Sequence, residues 1–168
     1  MQKLEFLQSR EKAICDEWLR ALYATYNERY ANFLREGKDR FENPVGFVFR
    51  KAIPEIVQSL ICGRETRPHL TEIIKIRAVQ GLLPSEALGF VYALRDAIQK
   101  VFPMLDPLQM AQVQRRIDAL ALEAFDIYME CREKLAQIRI NETRRALFKL
   151  LERATDSMSL GQRKEIET

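Results

Sequence analysis

The chain has 168 residues, 47% hydrophobic and 30% charged, which is enough to bury a core and short enough to favour one domain. Its 27 lysines and arginines against 24 aspartates and glutamates leave a net charge of only +3, so charge alone gives no case for nucleic acid or a membrane surface as partner. No apolar run approaches the ~18 residues of a membrane span, which excludes membrane insertion through a helix. The three cysteines, Cys15, Cys62 and Cys131, are odd in number and lack the paired spacings of zinc or redox motifs. The amino terminus carries charge where a secretory signal needs an apolar centre. A reducing, cytoplasmic setting is expected.

From Leu4 to about Glu36 apolar residues fall at Leu7, Ile14, Trp18, Leu22, Tyr26, Tyr30 and Phe33, which predicts one helix stopped by Gly37. A short linker leads to Asn43-Pro44, a cap followed by a first-turn proline, opening a second helix through Ile61 that Gly63 ends. Pro54 removes one backbone bond inside it and predicts a kink or a break near Ile53. Pro68 to Gln80 reads as a short helix ended by Gly81. Pro84 starts another, with Leu88, Val91, Leu94, Ile98 and Val101 in period. Gly46 and Gly89 fall inside helices, where glycine costs about 1 kcal/mol against alanine, and close helix contact is the expected compensation.

The longest element starts at Asp106-Pro107, a cap and a first-turn proline, with Gln109 placed as the capping-box partner. Its seam runs through Met110, Val113, Ile117, Leu120, Ala124, Ile127, Cys131, Leu135 and Ile138, and no Pro or Gly interrupts it before Arg153. About 45 residues at ~1.5 Å each reach roughly 70 Å, against roughly 35–40 Å for a compact domain of this length. The far end must therefore project, bend or pair with another chain. Residues 132–153 hold seven bases and three acids, so this segment is +4 and the rest is near neutral. The sequence reads all-α, a single-domain bundle of about five or six helices over residues 1–153, with a flexible tail over 154–168.

Catalytic chemistry has little support. The one histidine, His69, excludes a Ser-His-Asp or multi-His site and leaves haem ligation as the sharpest option, yet it sits at a helix start behind Arg-Glu-Thr-Arg-Pro, the place of a surface residue. No Glu-x-x-His pair, phosphate loop or nucleophile elbow is present, and no cofactor or metal is expected. If a small-ligand pocket exists, Trp18, Tyr26, Arg77 and Tyr128 are its candidates, since each joins an apolar body to a polar tip on an apolar face. The basic run Arg139 to Arg153 suits anionic lipid or nucleic acid by charge, but Leu147, Phe148, Leu150 and Leu151 favour a partner helix at least equally.

Three segments together resemble the amino-terminal domain of the RsbRD-type RsbT co-antagonist proteins. They are Asp39-Arg-Phe-Glu-Asn-Pro-Val-Gly46; Ile76-Arg-Ala-Val-Gln80 followed by Pro84-Ser-Glu-Ala87; and Ile117-Asp118 with Ala124-Phe-Asp-Ile-Tyr128, Arg132-Glu133 and Asn141-Glu142. Their order and spacing fit over about residues 10–150. The resemblance implies a sensory or interaction module, not an enzyme, of the kind that precedes a STAS domain in stressosome-type regulators. It also implies kinship with the haem-less, globin-like dimers of the RsbR amino-terminal domains, so the bundle is globin-like or a simpler up-and-down arrangement. Asp39, Asn43, Pro44 and Asp118 are the residues expected to shape the fold. No STAS domain follows the long helix in this sequence, so antagonism of the RsbT kinase, which belongs to that domain, is not carried over. The expectation is a free-standing, non-catalytic regulatory domain that forms a homodimer through the long helix and acts on an unidentified protein partner. The alternative is a small-ligand or haem-type sensor with its pocket between the first and last helices.

Overall fold

The aromatic stripe that the sequence presents as one helix is divided into three pieces. A computed structural model describes residues 4–36 and 39–166, with side chains described to residue 155. It begins with a 3₁₀ segment, Glu5–Arg10, then α1 (Glu11–Tyr23) and α2 (Glu28–Glu36). The separation of α1 from α2 corrects the single-helix expectation and has a local cause. Thr25 Oγ1 donates back to Leu22 O at 2.7 Å, and Asn27 Oδ1 accepts from Tyr30 N at 3.0 Å. Side chains that bond nearby backbone compete with the helical ladder, and an Asn followed by an acidic first turn at Glu28 is a new helix start. The expected stop at Gly37 lies outside the described residues.

Four further helices follow: α3 (Pro44–Cys62), α4 (Arg67–Val79), α5 (Pro84–Val101) and α6 (Pro107–Ile166). Among the described residues there is no strand, and the chain is an all-α bundle of six helices. Helix α3 continues through Pro54, so the expected break does not occur; Pro54 is exposed while Ile53, Ile56 and Val57 around it anchor the helix in the core. Gly63 ends α3 in the left-handed region at φ 70°. Helix α6 opens with the reciprocal capping box read from the sequence: Gln109 N donates to Asp106 Oδ1 at 2.8 Å and Asp106 N to Gln109 Oε1 at 3.2 Å.

The α2–α3 corner turns on one side chain. Asn43 is fully buried; its Oδ1 accepts from Gly46 N at 2.7 Å, while its Nδ2 donates to Phe33 O at 2.9 Å and Leu34 O at 3.1 Å. One side chain thus caps the start of α3 and receives the end of α2. A Cβ on Gly46 would come within 2.5 Å of Asn43 Nδ2 and 2.6 Å of Leu34 O, so close approach explains that glycine. At Gly89 nothing lies within 4 Å of the same position, so the expected close contact is absent there.

The chain divides into two compact units, Met1–Cys131 and Arg132–Thr168. In the first, α1 packs on α3 and α5, and α3 on α4. Ile14, Trp18, Leu22, Phe49, Ile53, Phe90 and Leu94 lie at the centre, joined by Val113, Ile117, Leu120, Ala124 and Ile127 of the long-helix seam. At about 25 cal/mol per Å² of apolar surface, each of the larger aliphatic and phenylalanine side chains among them contributes roughly 1.5–3 kcal/mol to holding the bundle. The second unit is the remainder of α6, whose side chains from 136 to 155 are all exposed. The helix runs on to Ile166, past the Arg153 at which apolar periodicity fades; the side chains of the expected tail from residue 156 lie outside the described residues. No helix among the described residues is long and apolar enough to cross a membrane.

Candidate functional site

Phe90, on the buried face of α5, meets two of the four candidate pocket residues, Trp18 and Arg77, and Arg77 links them to a third, Tyr26. Trp18 lies fully buried with its ring stacked on Phe90 at 5.9 Å, and its Nε1 donates to Phe90 O at 2.7 Å. The Arg77 guanidinium stands 5.5 Å from the Phe90 ring centre and 5.3 Å from that of Tyr26. Both distances are within cation–π range.

Arg77 is 1% exposed, and a bare buried cation would be very costly. Its donors meet neutral acceptors instead. Nε donates to Ala87 O at 2.8 Å, one terminal nitrogen to Glu86 O at 2.7 Å, and the other to Thr25 Oγ1 and Tyr26 Oη, both at 3.1 Å. Tyr26 in turn donates to Gln80 Oε1 at 3.0 Å. Burial lowers the Arg77 pKa from its ordinary value, while Tyr26 and Glu86 oppose that shift; burial likewise raises that of Tyr26 against the pull of Arg77. The planar fork of arginine suits this role because it spans two carbonyls on α5 and two hydroxyls beyond α1 from one position on α4. As it stands the cluster is a closed joint of three helices.

Tyr128 stands apart from this group. It is buried on α6, and its hydroxyl donates to Leu82 O at 2.8 Å, fastening the α4–α5 connection to the long helix. Of the residues expected to shape the fold, Asp39, Asn43 and Pro44 share the α2–α3 corner: Asp39 O accepts from Asn43 N at 3.0 Å and its Oδ1 from Phe41 N at 3.2 Å. Asp118 is not with them. It is exposed on α6 and accepts from Gln114 Nε2 one turn earlier at 2.7 Å. His69 is half-buried in the first turn of α4.

Sequence reasoning missed Phe90, Thr25 and Gln80. For Phe90 the signal is present in the spacing Ala87, Phe90, Val91, Leu94, and Leu88, a member of the expected stripe, is only half-buried. Thr25 and Gln80 are exposed polar residues at helix ends, and nothing local marks Thr25 as a partner of the buried Arg77 or Gln80 as the acceptor for Tyr26.

Between the first helix and α6 the interior space is small. The cavity bounded by Leu7, Ile14, Leu94, Ile98, Val113 and Ile117 measures about 10 Å³, room for about one water. The start of α4 is tied to α6 instead: Thr66 Oγ1 donates to Glu123 Oε2 and Arg67 to Glu130 Oε1, each at 2.5 Å. Facing outward from α6 in the first unit are Leu122, Phe125 and Met129, 70%, 46% and 40% exposed. In the second unit Ile138, Ile140, Leu147, Phe148, Leu150 and Leu151 are exposed among the bases of the segment. Exposed apolar residues recurring at helical spacing mark interaction faces.

No curated protein and no solved structure shows detectable similarity to the chain. Residues 12–143 match the family described as "RsbT co-antagonist protein rsbRD N-terminal domain". That stretch takes in α1 to α5 and α6 beyond Tyr128, including the Asn43 corner and the Arg77 joint, and covers well over half the chain. The chain therefore belongs to the RsbRD amino-terminal domain family of regulatory domains.

Proposed function

We propose that the protein is a non-catalytic, sensor-like interaction domain of the stressosome-related kind. In this reading two copies assemble through α6, and the assembly passes a signal to a further regulatory protein in the cytoplasm. The observation that carries it is the apolar set Ile138, Ile140, Leu147, Phe148, Leu150 and Leu151 on a helix whose side chains from 136 to 155 are all exposed. Burying such residues is worth roughly 1.5–3 kcal/mol each, which a solvated helix forgoes. The test is light scattering with size exclusion on the full chain, on a truncation after Ile138, and on Leu147→Glu with Leu151→Glu. A dimer for the full chain and monomers for both variants support the reading. A strict monomer across a wide concentration range sinks it.

A second reading, a ligand pocket using Trp18, Tyr26, Arg77 and Tyr128, draws on the linked contacts of Trp18 and Arg77 with Phe90 and of Arg77 with the half-buried Tyr26. It calls for a thermal shift with some member of a metabolite panel, or a chromophore that elutes with the protein. Neither appearing would remove it.

A further inference from the structure

We propose that the groove between the α3–α4 connection and the middle of α6 binds a small zwitterion with an apolar body, an amino acid with an aliphatic side chain being the simplest case. On α6, Arg116, Ala119, Leu120 and Glu123 follow one another at the spacing that puts them on a single face. Opposite them stand Leu60 at the end of α3 and the loop residues Arg64, Glu65 and Thr66. The groove encloses about 250 Å³, far more than the 10 Å³ in the core, yet small beside the roughly 300–1,000 Å³ of pockets for drug-sized ligands. That space is of the size a single amino acid occupies.

Its chemistry is two-signed. The floor is apolar, with Leu60 and Leu120 nearly buried, while the rim sets Arg64 and Arg116 against Glu65 and Glu123. An anion alone meets two carboxylates there, and a cation alone meets two guanidiniums. A zwitterion satisfies both, and its side chain covers the leucines. Glu123 is already oriented, because Thr66 Oγ1 donates to its Oε2. Thr66 holds the cap position of α4 but makes no side-chain cap bond, its hydroxyl being turned to Glu123 instead.

Because four of the lining residues belong to α6, occupancy bears directly on that helix. The site does not depend on the proposed dimer, and either can fail alone. The experiment is calorimetric titration of the full chain with leucine, valine and methionine. Two leucine analogues serve as controls: 4-methylpentanoate, which lacks the ammonium, and 3-methylbutylamine, which lacks the carboxylate. At least one amino acid should bind, and each analogue should bind about tenfold or more weakly than leucine. Arg64→Gln, at an exposed loop position, should weaken amino-acid binding by about tenfold. Ala119→Leu, at an exposed helical position, should fill the groove and abolish binding with the melting temperature unchanged. Absence of binding by all three amino acids to the folded chain overturns the proposal. So does equal affinity for 4-methylpentanoate, which would make the groove an anion site only, or undiminished binding by the Ala119→Leu chain, which would put the ligand elsewhere.

Discussion

Replacing Asn43 by aspartate separates what a helix cap requires from what this corner requires. At an ordinary N-cap the two residues are equivalent, since each offers an oxygen to the first-turn amides. Here the capping oxygen is one half of the side chain; the other half donates to Phe33 O and Leu34 O. The Asn43→Asp chain would keep the bond from Gly46 N and lose both donations, at about 1 kcal/mol each. It would also set a fully buried carboxylate against two carbonyl oxygens, so the expected loss is about 2–4 kcal/mol. For a chain of this size that lowers Tm by roughly 4–16 °C. Asn43→Ala, which also loses the cap, should cost about 3 kcal/mol. Thermal and urea melts by circular dichroism measure both. The aspartate variant has a second signature: protonating the carboxyl restores one donor, and burial raises its pKa, so its deficit should shrink as pH falls from neutral toward the ordinary carboxylate range and stay constant below it. An aspartate variant within about 0.5 kcal/mol of the native chain at neutral pH would show that the two donations carry no weight and that Asn43 is only a cap.

Gly46→Ala should destabilise by about 1–3 kcal/mol, because its Cβ meets Asn43 and Leu34 O, whereas Gly89→Ala, in open space within α5, should stabilise by about 1 kcal/mol; parallel melts compare them. Arg77→Lys should cost about 2–4 kcal/mol, since an ammonium cannot reach two α5 carbonyls and two hydroxyls together. Loss of Arg77 from the face of Phe90 should also change the emission of Trp18, the only tryptophan, and an unchanged spectrum and melt would refute the joint. Burial, reinforced by Glu11 and Asp16, pushes the Cys15 thiol from 9.0 up to about 12. In a thiol-labelling time course near pH 8, the exposed Cys62 should react first and Cys15 only on unfolding. The folded state holds the Cys15 proton more tightly than the unfolded state. Its contribution is therefore complete below about pH 9 and is lost as pH rises toward 12.

Helix existence and type were legible in the sequence wherever a start signal, a stop signal and a 3.6-residue period coincided. Asn43-Pro44, Asp106-Pro107 with Gln109, and Gly63 all act as read, because capping is chemistry between residues a few positions apart. The same locality accounts for the errors. The stripe from Leu7 to Phe33 keeps its period across the break at Thr25–Asn27, so apolar spacing alone did not reveal that Thr25 and Asn27 redirect the chain. Pro54 predicts a break on local grounds, yet α3 continues, with Ile53, Ile56 and Val57 packed in the core around it.

What the sequence determined alone was the all-α class, the seam of α6 as far as Ile127 and, through its ordered motifs, membership of the RsbRD amino-terminal family. Composition and periodicity dictate these because burying an apolar face is a one-dimensional property of a helix. Only the tertiary structure decided which polar residues became partners. Arg77 meets Thr25 and Tyr26 across some fifty residues of chain, Tyr128 meets Leu82, and Thr66 meets Glu123. Such pairs are set by how helices lie against one another, and a buried polar group must take whichever acceptor that packing supplies.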